Sequence, residues 1–153
     1  MWFSRKQSAK ELTKGAASSA AALSKQVTTK SRGDAAESAA RNYLVGAGLR
    51  WVESNYRTPG RGGGEIDLVM RAPDGTLVFV EVRQRANASY GGAGASISTL
   101  KQRRIIFAAR HYLMRFASLP PCRFDVVLVN GALAGGERLA ATIEWLPAAF
   151  DAS

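Results

Sequence analysis

Two acidic segments that face each other across a short turn are the part of this sequence best suited to chemistry. Residues 64–70 carry Glu65 and Asp67, and residues 78–83 carry Glu81. The Ala-Pro-Asp-Gly between them is typical of a turn, and the flanking Val, Ile and Phe favour strands. Asp67 and Glu81 each lie seven residues from the aspartate of that turn. A hairpin in this register therefore brings the two carboxylates nearly opposite each other.

Such a pair of carboxylates predicts a metal site. Like charges that face each other destabilise a sheet, and acids among apolar residues are costly to desolvate. A hard divalent cation removes both costs because its ligands are oxygens. We therefore expect Asp67 and Glu81 to bind Mg²⁺ or Mn²⁺, with Glu65 or Glu37 completing the ligand set. The alternative is a solvated sheet face on which these acids pair with Arg83 or Arg85 across strands.

Two further charged residues have both a structural and a catalytic interpretation. Arg83 lies two residues from Glu81 on the same side of its strand, where a cation can neutralise a phosphate or a developing oxyanion. Glu37 follows Asp34 at the spacing of a capping box, and it also has Arg41 at the i,i+4 position of a helix. Glu37 is therefore either a helix-capping residue or an additional carboxylate that reaches over the sheet to a metal or a water.

The helix predicted over residues 96–116 carries two basic residues among its apolar ones. Lys101 and Arg104 fall within the apolar stripe, near its N-terminal end. They either extend out of the stripe to solvent, or hold a phosphate beside the helix N-terminus. The stripe itself consists of Ile97, Leu100, Ile105, Ala108, Tyr112 and Phe116.

The remaining elements predict an α/β domain with one sheet flanked by helices, in the order α-β-β-β-α-β-β. Apolar periodicity and turn residues give a helix over 34–47, a strand over 49–57, a hairpin over 65–85, a helix over 96–116, and strands over 122–130 and 139–145. We place the domain at residues 33–147. It follows a basic Ser/Ala/Lys-rich tail over 1–32, predicted to be disordered, and precedes a C-terminal tail over 148–153.

The net charge, the cysteine and histidine counts and the length of the apolar runs exclude several classes of protein. The net charge is +9, and residues 1–32 contain seven basic residues and one acidic residue, so they carry +6 of it. This charge favours an anionic partner. Cys122 is the only cysteine and His111 the only histidine, which excludes an internal disulfide and a His- or Cys-rich zinc site. No apolar run is long enough to span a membrane, and we expect a cytoplasmic protein.

Several stretches together resemble the YraN family of uncharacterised bacterial proteins, which has the restriction-endonuclease-like fold of the PD-(D/E)XK nuclease superfamily. The resemblance covers residues 33–129 and excludes the tail. The matching stretches are Gly33-Asp34-Ala35-Ala36-Glu37, Asn55-Tyr56-Arg57, Gly64-Glu65-Ile66-Asp67-Leu68, Phe79-Val80-Glu81-Val82-Arg83-Gln84-Arg85, Lys101-Gln102-Arg103-Arg104 and Arg123-Phe124-Asp125-Val126-Val127. Relatives of this family include Holliday-junction resolvases.

The resemblance implies a central mixed sheet and a metal-dependent endonuclease that acts on DNA, with branched or damaged DNA as the expected substrate. Asp67 would be the motif aspartate, Glu81 the second metal ligand, and Glu37 the carboxylate from the first helix. Arg83 stands where the superfamily has lysine, and arginine cannot lose its proton at working pH. Lys101 is then a candidate for the missing amine.

The same departure supports an alternative function, a non-catalytic module that binds nucleic acid on a nuclease-like fold. A third interpretation is an adaptor whose basic tail docks on an acidic partner or an anionic membrane. DNA is the expected partner of the first two, and a homodimer would suit an enzyme that cuts two strands. The expected nucleic-acid contacts are Arg57, Arg61, Arg85, Lys101 and Arg104.

Overall fold

The computed structural model describes residues 30, 33–85, 97–131 and 142–152. Apart from Lys30, Gly33 and Asp34, these residues belong to one compact unit, Ala35–Ser153, and a separate unit is Met1–Asp34. The elements are α1 (residues 33–46), β1 (Arg50–Arg57), β2 (Glu65–Arg71), β3 (Leu77–Arg85), α2 (Thr99–Leu113), β4 (Cys122–Asn130) and β5 (Thr142–Phe150). The tail predicted over residues 1–32, Lys30 excepted, lies outside the described residues, as do residues 86–96 and 132–141.

The five strands form one mixed sheet, in the spatial order β1-β2-β3-β4-β5. β3 and β4 run parallel, and the other neighbouring strands are antiparallel. α2 supplies the crossover that a parallel pair requires. With helix α1 ahead of the sheet, this confirms the α/β class and the element order predicted from the sequence, and it is consistent with a restriction-endonuclease-like fold.

Helix α1 covers one face of the sheet because its small apolar residues recur every four positions. Ala36, Ala40 and Leu44 are fully buried against Leu68 and Val80 of the sheet, among other residues. The helix ends where the sequence predicts. Gly48 adopts a φ of 104°, and the Leu49 N–H donates to the carbonyl of Leu44 at 3.0 Å, which is the closing bond of a Schellman motif.

Helix α2 covers the opposite face. Ser98 caps it by accepting a hydrogen bond from the Lys101 N–H at 3.2 Å, and its buried residues are Ile105, Ala108, Ala109 and Tyr112. They pack on Phe79 and Phe124, among others. Neither helix in the described part of the chain is long and apolar enough to cross a membrane.

The predicted apolar stripe of this helix was wrong at one position. The side chain of Leu100 is 63% exposed, and Arg104 is exposed as well. The buried arc is centred between Ile105 and Tyr112, and at about 100° per residue Leu100 points well away from that centre. Lys101, which the sequence also placed in the stripe, does lie on the side that faces the sheet, and it is half-buried.

Strand β5 extends beyond its predicted end. The sequence placed the strand at 139–145, whereas the described strand runs from Thr142 to Phe150, so residues 148–150 of the expected C-terminal tail lie in it. Residues 139–141 lie outside the described residues. Phe150 stacks on Phe124 of β4 with 4.9 Å between ring centroids. Pro147 interrupts the strand pattern, and a proline inside a run normally argues against a continuous strand. The pairing tolerates it here because the register shifts opposite residue 125.

Candidate active site

The candidate site lies where β2 separates from β3. The backbone ladder between the two strands runs from Arg71 opposite Leu77 to Leu68 opposite Val80, which is the register that the turn predicts. Beyond that point, the side chain of Asp67 replaces the backbone acceptor, and its Oδ2 accepts a hydrogen bond from the Val82 N–H at 2.9 Å. The carboxylate is thereby fixed between the two diverging strands.

Glu81 completes a buried acidic pair with Asp67. Glu81 is only 7% exposed and Asp67 is partly buried. Oε2 of Glu81 is buried and no donor group of the described residues reaches it, and a side-chain hydrogen bond joins the two carboxyls. Burial, followed by the negative charge of Asp67, raises the pKa of Glu81 from 4.5 to about 8. Burial also raises the pKa of Asp67, although the hydrogen bond from Val82 opposes that rise. At neutral pH this pair therefore retains a proton that exposed carboxylates would have lost.

Lys101 places an ammonium group beside this pair. Its Nζ lies 3.5 Å from Oε1 of Glu81, and its side chain is 42% exposed, so the amine reaches both the buried acid and solvent. The amine lowers the pKa values of both carboxyls, but by less than burial raises them. Lys101 thus joins Asp67 and Glu81 in one cluster, although it comes from a different element of the fold.

A glycine fixes the distance between α2 and the acidic hairpin. A Cβ on Gly64, at the start of β2, would lie 1.9 Å from the carbonyl oxygen of Arg104 and 3.0 Å from Cβ of Ala108. The strand therefore touches the backbone of α2 directly, which only glycine permits. This contact lies one turn along the helix from Lys101, and it holds that residue near Glu81.

The other two predicted carboxylates make contacts elsewhere. Oε1 of Glu65 lies 3.4 Å from the guanidinium of Arg57, although the charge of Glu65 still raises the pKa of Asp67 slightly. Glu37 lies on α1, on the other face of the sheet from α2, and its Oε2 accepts a hydrogen bond from Asn55 Nδ2 at 3.1 Å. Among the described residues, no three Asp, Glu, His or Cys side chains converge closely enough to hold an ion by themselves.

The donor set of Asp67 and Glu81 nevertheless fits a magnesium-type ion. Mg²⁺ is usually held by one or two carboxylates, with waters and substrate phosphates filling its other positions. A positive charge compensates a buried carboxylate oxygen that lacks a hydrogen-bond donor, and it lowers a carboxyl pKa that burial has raised to about 8. Two protein ligands are therefore sufficient for the ion that the sequence suggests.

The predicted arginines lie on three strands or helices and one loop. Arg57 at the end of β1, Arg61 in the following loop and Arg104 on α2 are all exposed. Arg83 and Arg85 are half-buried on β3, opposite Leu128 and Asn130 of β4, and both interact with other residues. Arg83 shares its strand and its side of the sheet with Glu81, as the two-residue spacing requires.

One buried acid was missed by the sequence analysis. Asp125 is fully buried in β4, where it accepts hydrogen bonds from Arg123 Nε at 3.1 Å, Trp145 Nε1 at 2.9 Å and the Ala148 N–H at 2.9 Å. These donors satisfy both carboxylate oxygens, so the group is structural. Its signal in the sequence was an acid in a mostly apolar strand, which folded proteins tolerate only when the charge is paired.

A second polar contact on the α2 face was also missed. Tyr56 Oη and His111 Nδ1 form a hydrogen bond, and the guanidinium of Arg115 lies 3.7 Å from the ring centroid of Tyr112 and 5.5 Å from that of Tyr56. Arg115 also pairs with Glu53 at 3.6 Å. The single histidine therefore ties α2 to β1 and takes no part in the acidic cluster.

Comparison with known proteins places the chain in a family. The sequence profile described as "Uncharacterised protein family UPF0102" matches residues 36–129. A UPF0102 protein of Polaromonas naphthalenivorans (strain CJ2) is 84% identical over the full length of both chains, and one of Polaromonas sp. (strain JS666 / ATCC BAA-500) is 72% identical over the same span. A UPF0102 protein of Albidiferax ferrireducens is 66% identical over 82% of this chain and 91% of its own length. The chain therefore belongs to the UPF0102 family, the YraN family that its motifs resemble.

Proposed function

We propose that this protein is a metal-dependent nuclease that hydrolyses phosphodiester bonds in DNA, with branched or damaged DNA as its substrate. One observation carries the proposal. Asp67 and Glu81 lie together at the point where two strands separate, and a carboxylate oxygen of Glu81 is buried without a hydrogen-bond donor among the described residues. Such an arrangement is unfavourable for a purely structural pair of acids, and it becomes favourable when a cation binds.

In this proposal Asp67 and Glu81 hold Mg²⁺ or Mn²⁺, and Glu65 or Glu37 completes the ligand set through water. When bound, such an ion supplies Lewis-acid chemistry by lowering the pKa of a bound water and neutralising the scissile phosphate. The chain's own task is to hold two carboxylates at one place and to exclude competing donors. The hydrogen bond from the Val82 N–H holds Asp67 in place, and burial keeps competing donors away from Glu81.

Lys101 and Arg83 supply the positive charge that phosphoryl chemistry needs. Lys101 can orient a water or donate to a phosphate oxygen from its position 3.5 Å from Glu81. Arg83 remains charged at all working pH values, so it can stabilise negative charge but cannot accept a proton. The proton-transfer role that lysine has in the superfamily motif therefore falls to Lys101.

Binding of the nucleic acid is assigned to the arginines around the cluster. Arg57, Arg61 and Arg104 are exposed and can contact successive phosphates, while Arg85 lies further along β3. The basic residues of the segment over 1–32 add affinity that depends on salt but not on sequence. A homodimer would allow both strands of a duplex to be cut in one encounter.

The test is a cleavage assay on linear, nicked and four-way DNA with Mg²⁺ or Mn²⁺. We expect metal-dependent cutting by the wild-type protein and a loss of about a hundredfold or more in Asp67→Asn. The matched control is Asp74→Asn, in the exposed turn of the same hairpin, which should cut at the wild-type rate. Absence of cutting on every substrate, or equal rates in the two variants, would refute the nuclease.

A second candidate is a nucleic-acid-binding module without catalysis, and Arg83 is the observation that favours it. If that candidate is correct, the protein binds DNA and cuts none of the substrates, and Arg83→Lys does not introduce cutting.

If Lys101 has replaced the motif lysine, Lys101→Ala lowers cleavage while DNA affinity changes by less than about threefold, because one phosphate contact among several contributes little.

A further inference from the structure

Helix α2 has a second, outward face, of which the proposed nuclease uses only Arg104 at one border. Leu100, Phe107 and Met114, the residue that caps the helix, follow one another at seven-residue intervals, so they form a single stripe along the helix. Their exposed fractions are 63%, 54% and 78%. Three large apolar side chains in one line on a surface are characteristic of an interaction site, whereas scattered single ones are not.

Positive charge flanks this stripe. Arg103 and Arg110 lie along one side of it and Arg104 along the other, and all three are exposed. None of the ion pairs formed among the described residues involves them. The sequence of α2 from Thr99 to Leu113 contains no acidic residue at all. The face thus combines an apolar stripe with uncompensated cationic borders.

We propose that this outward face of α2 binds an acidic, amphipathic helix of a partner protein. An apolar stripe at heptad spacing accepts the apolar side of another helix, and arginines on both sides select acidic residues at the flanking positions of that helix. Aromatic and arginine side chains are also those that contribute most to protein interfaces, and Phe107 lies at the centre of the stripe between its arginines. This inference is independent of the proposed nuclease activity.

Charge argues against the other occupants of this face. Residues 1–32 carry +6, so the tail of the same chain is repelled by the arginines. A second copy packed helix to helix would bring Arg103 and Arg110 of one copy close to those of the other. Duplex DNA offers phosphates that can pair with the arginines, but it offers no apolar surface to cover Leu100, Phe107 and Met114.

The two faces of α2 can act at the same time. Lys101 points toward Glu81 on the sheet side, whereas Phe107 and its neighbours point outward. At about 1.5 Å per residue the stripe from Leu100 to Met114 is about 21 Å long. A partner helix of about four turns therefore covers it without approaching the acidic cluster.

The probe is a synthetic peptide of about three heptads, with leucine at the apolar positions and glutamate at the flanking ones. Its binding to the full chain is measured by fluorescence anisotropy. We expect Phe107→Ala and Arg103→Glu each to weaken binding about tenfold or more. The matched controls are Val45→Ala, an exposed apolar residue on α1, and Arg50→Glu, an exposed arginine on β1, and both should leave the affinity within about twofold.

Four results would overturn the proposal. The first is equal binding of the designed peptide and a scrambled peptide of the same composition, because charge alone would then explain it. The second is equal loss of affinity in the α2 variants and their controls. The third is a dimer of the wild-type chain that dissociates in Phe107→Ala, since a second copy would then occupy the face. The fourth is binding to phosphatidylglycerol vesicles that Phe107→Ala abolishes while peptide binding is unchanged.

Discussion

Replacing Glu81 with glutamine should stabilise the protein at alkaline pH when divalent ions are removed. In the unfolded chain this carboxyl titrates near 4.5, and in the folded protein near 8. Below pH 4.5 the Glu81 carboxyl is protonated in both states, so its titration does not lower the free energy of unfolding. As the pH rises toward 8, the unfolded state loses a proton that the folded state retains, and stability is lost over that interval.

The size of the effect follows from the two pKa values. A rise from 4.5 to about 8, at about 1.4 kcal/mol per pKa unit, corresponds to about 5 kcal/mol lost above pH 8. Glu81 is 7% exposed, so solvent does little to screen this penalty. Glutamine has nearly the same shape and does not titrate. The free energy of unfolding of Glu81→Gln should therefore exceed that of the wild type by up to about 5 kcal/mol at pH 8.5, and by less than about 1 kcal/mol at pH 5.

Urea unfolding in EDTA, followed by tryptophan fluorescence at both pH values, measures this difference. Glu65→Gln, a half-buried carboxylate of β2 paired with Arg57, is the matched control and should stay within about 0.5 kcal/mol of the wild type at both. The reasoning would be refuted if Glu81→Gln were less stable than the wild type at pH 8.5, or if the difference were the same at both pH values. Adding Mg²⁺ at pH 8.5 should stabilise the wild type and leave Glu81→Gln unchanged, because binding to the folded state raises its stability.

Two further predictions concern the residues that hold the sheet and α2 in place. Gly64→Ala should lower the free energy of unfolding by about 2–4 kcal/mol, because its Cβ would lie 1.9 Å from the backbone carbonyl oxygen of Arg104. Gly46→Ala, where an added Cβ meets nothing within 4 Å, is its control, and equal values in urea unfolding would contradict the close contact. Asp125→Asn should cost about 2–4 kcal/mol, because an amide group would face the indole N–H of Trp145 and other donors. A fluorescence spectrum and a stability both identical to wild type would exclude a structural role for that acid.

The strands were predictable where local residues determine them. β4 has the predicted bounds, Cys122–Asn130, because Pro120-Pro121 and Gly131 enclose a run rich in valine and other apolar residues. The end of β5 was not predictable in this way. Ala148 adopts a φ of 49°, and its N–H is held by Asp125 from the neighbouring strand, so the strand continues past Pro147 through a contact that lies 23 residues away in sequence.

The candidate site was likewise predictable only where it depends on residues close together in the sequence. The approach of Asp67 to Glu81 follows from counting residues on either side of a turn, which is local information. The distance from Lys101 to Glu81 depends on the packing of Gly64 against α2, and the sequence contains only the glycine and not its partner. The orientation of Glu65 toward Arg57 likewise depends on which of several nearby arginines lies across the ladder.

The irregularities of β1 and β5 have a consequence for how copies of this protein can associate. These two strands border the described sheet, and each presents a broken row of backbone groups to its surroundings. β1 has a register shift between Trp51 and Glu53 and a left-handed Asn55, while β5 has Pro147, which lacks an N–H, followed by the left-handed Ala148. A foreign strand laid along either border would leave donors and acceptors unmatched. Self-association by continuation of the described sheet, the first step toward fibrous aggregation, is thereby disfavoured.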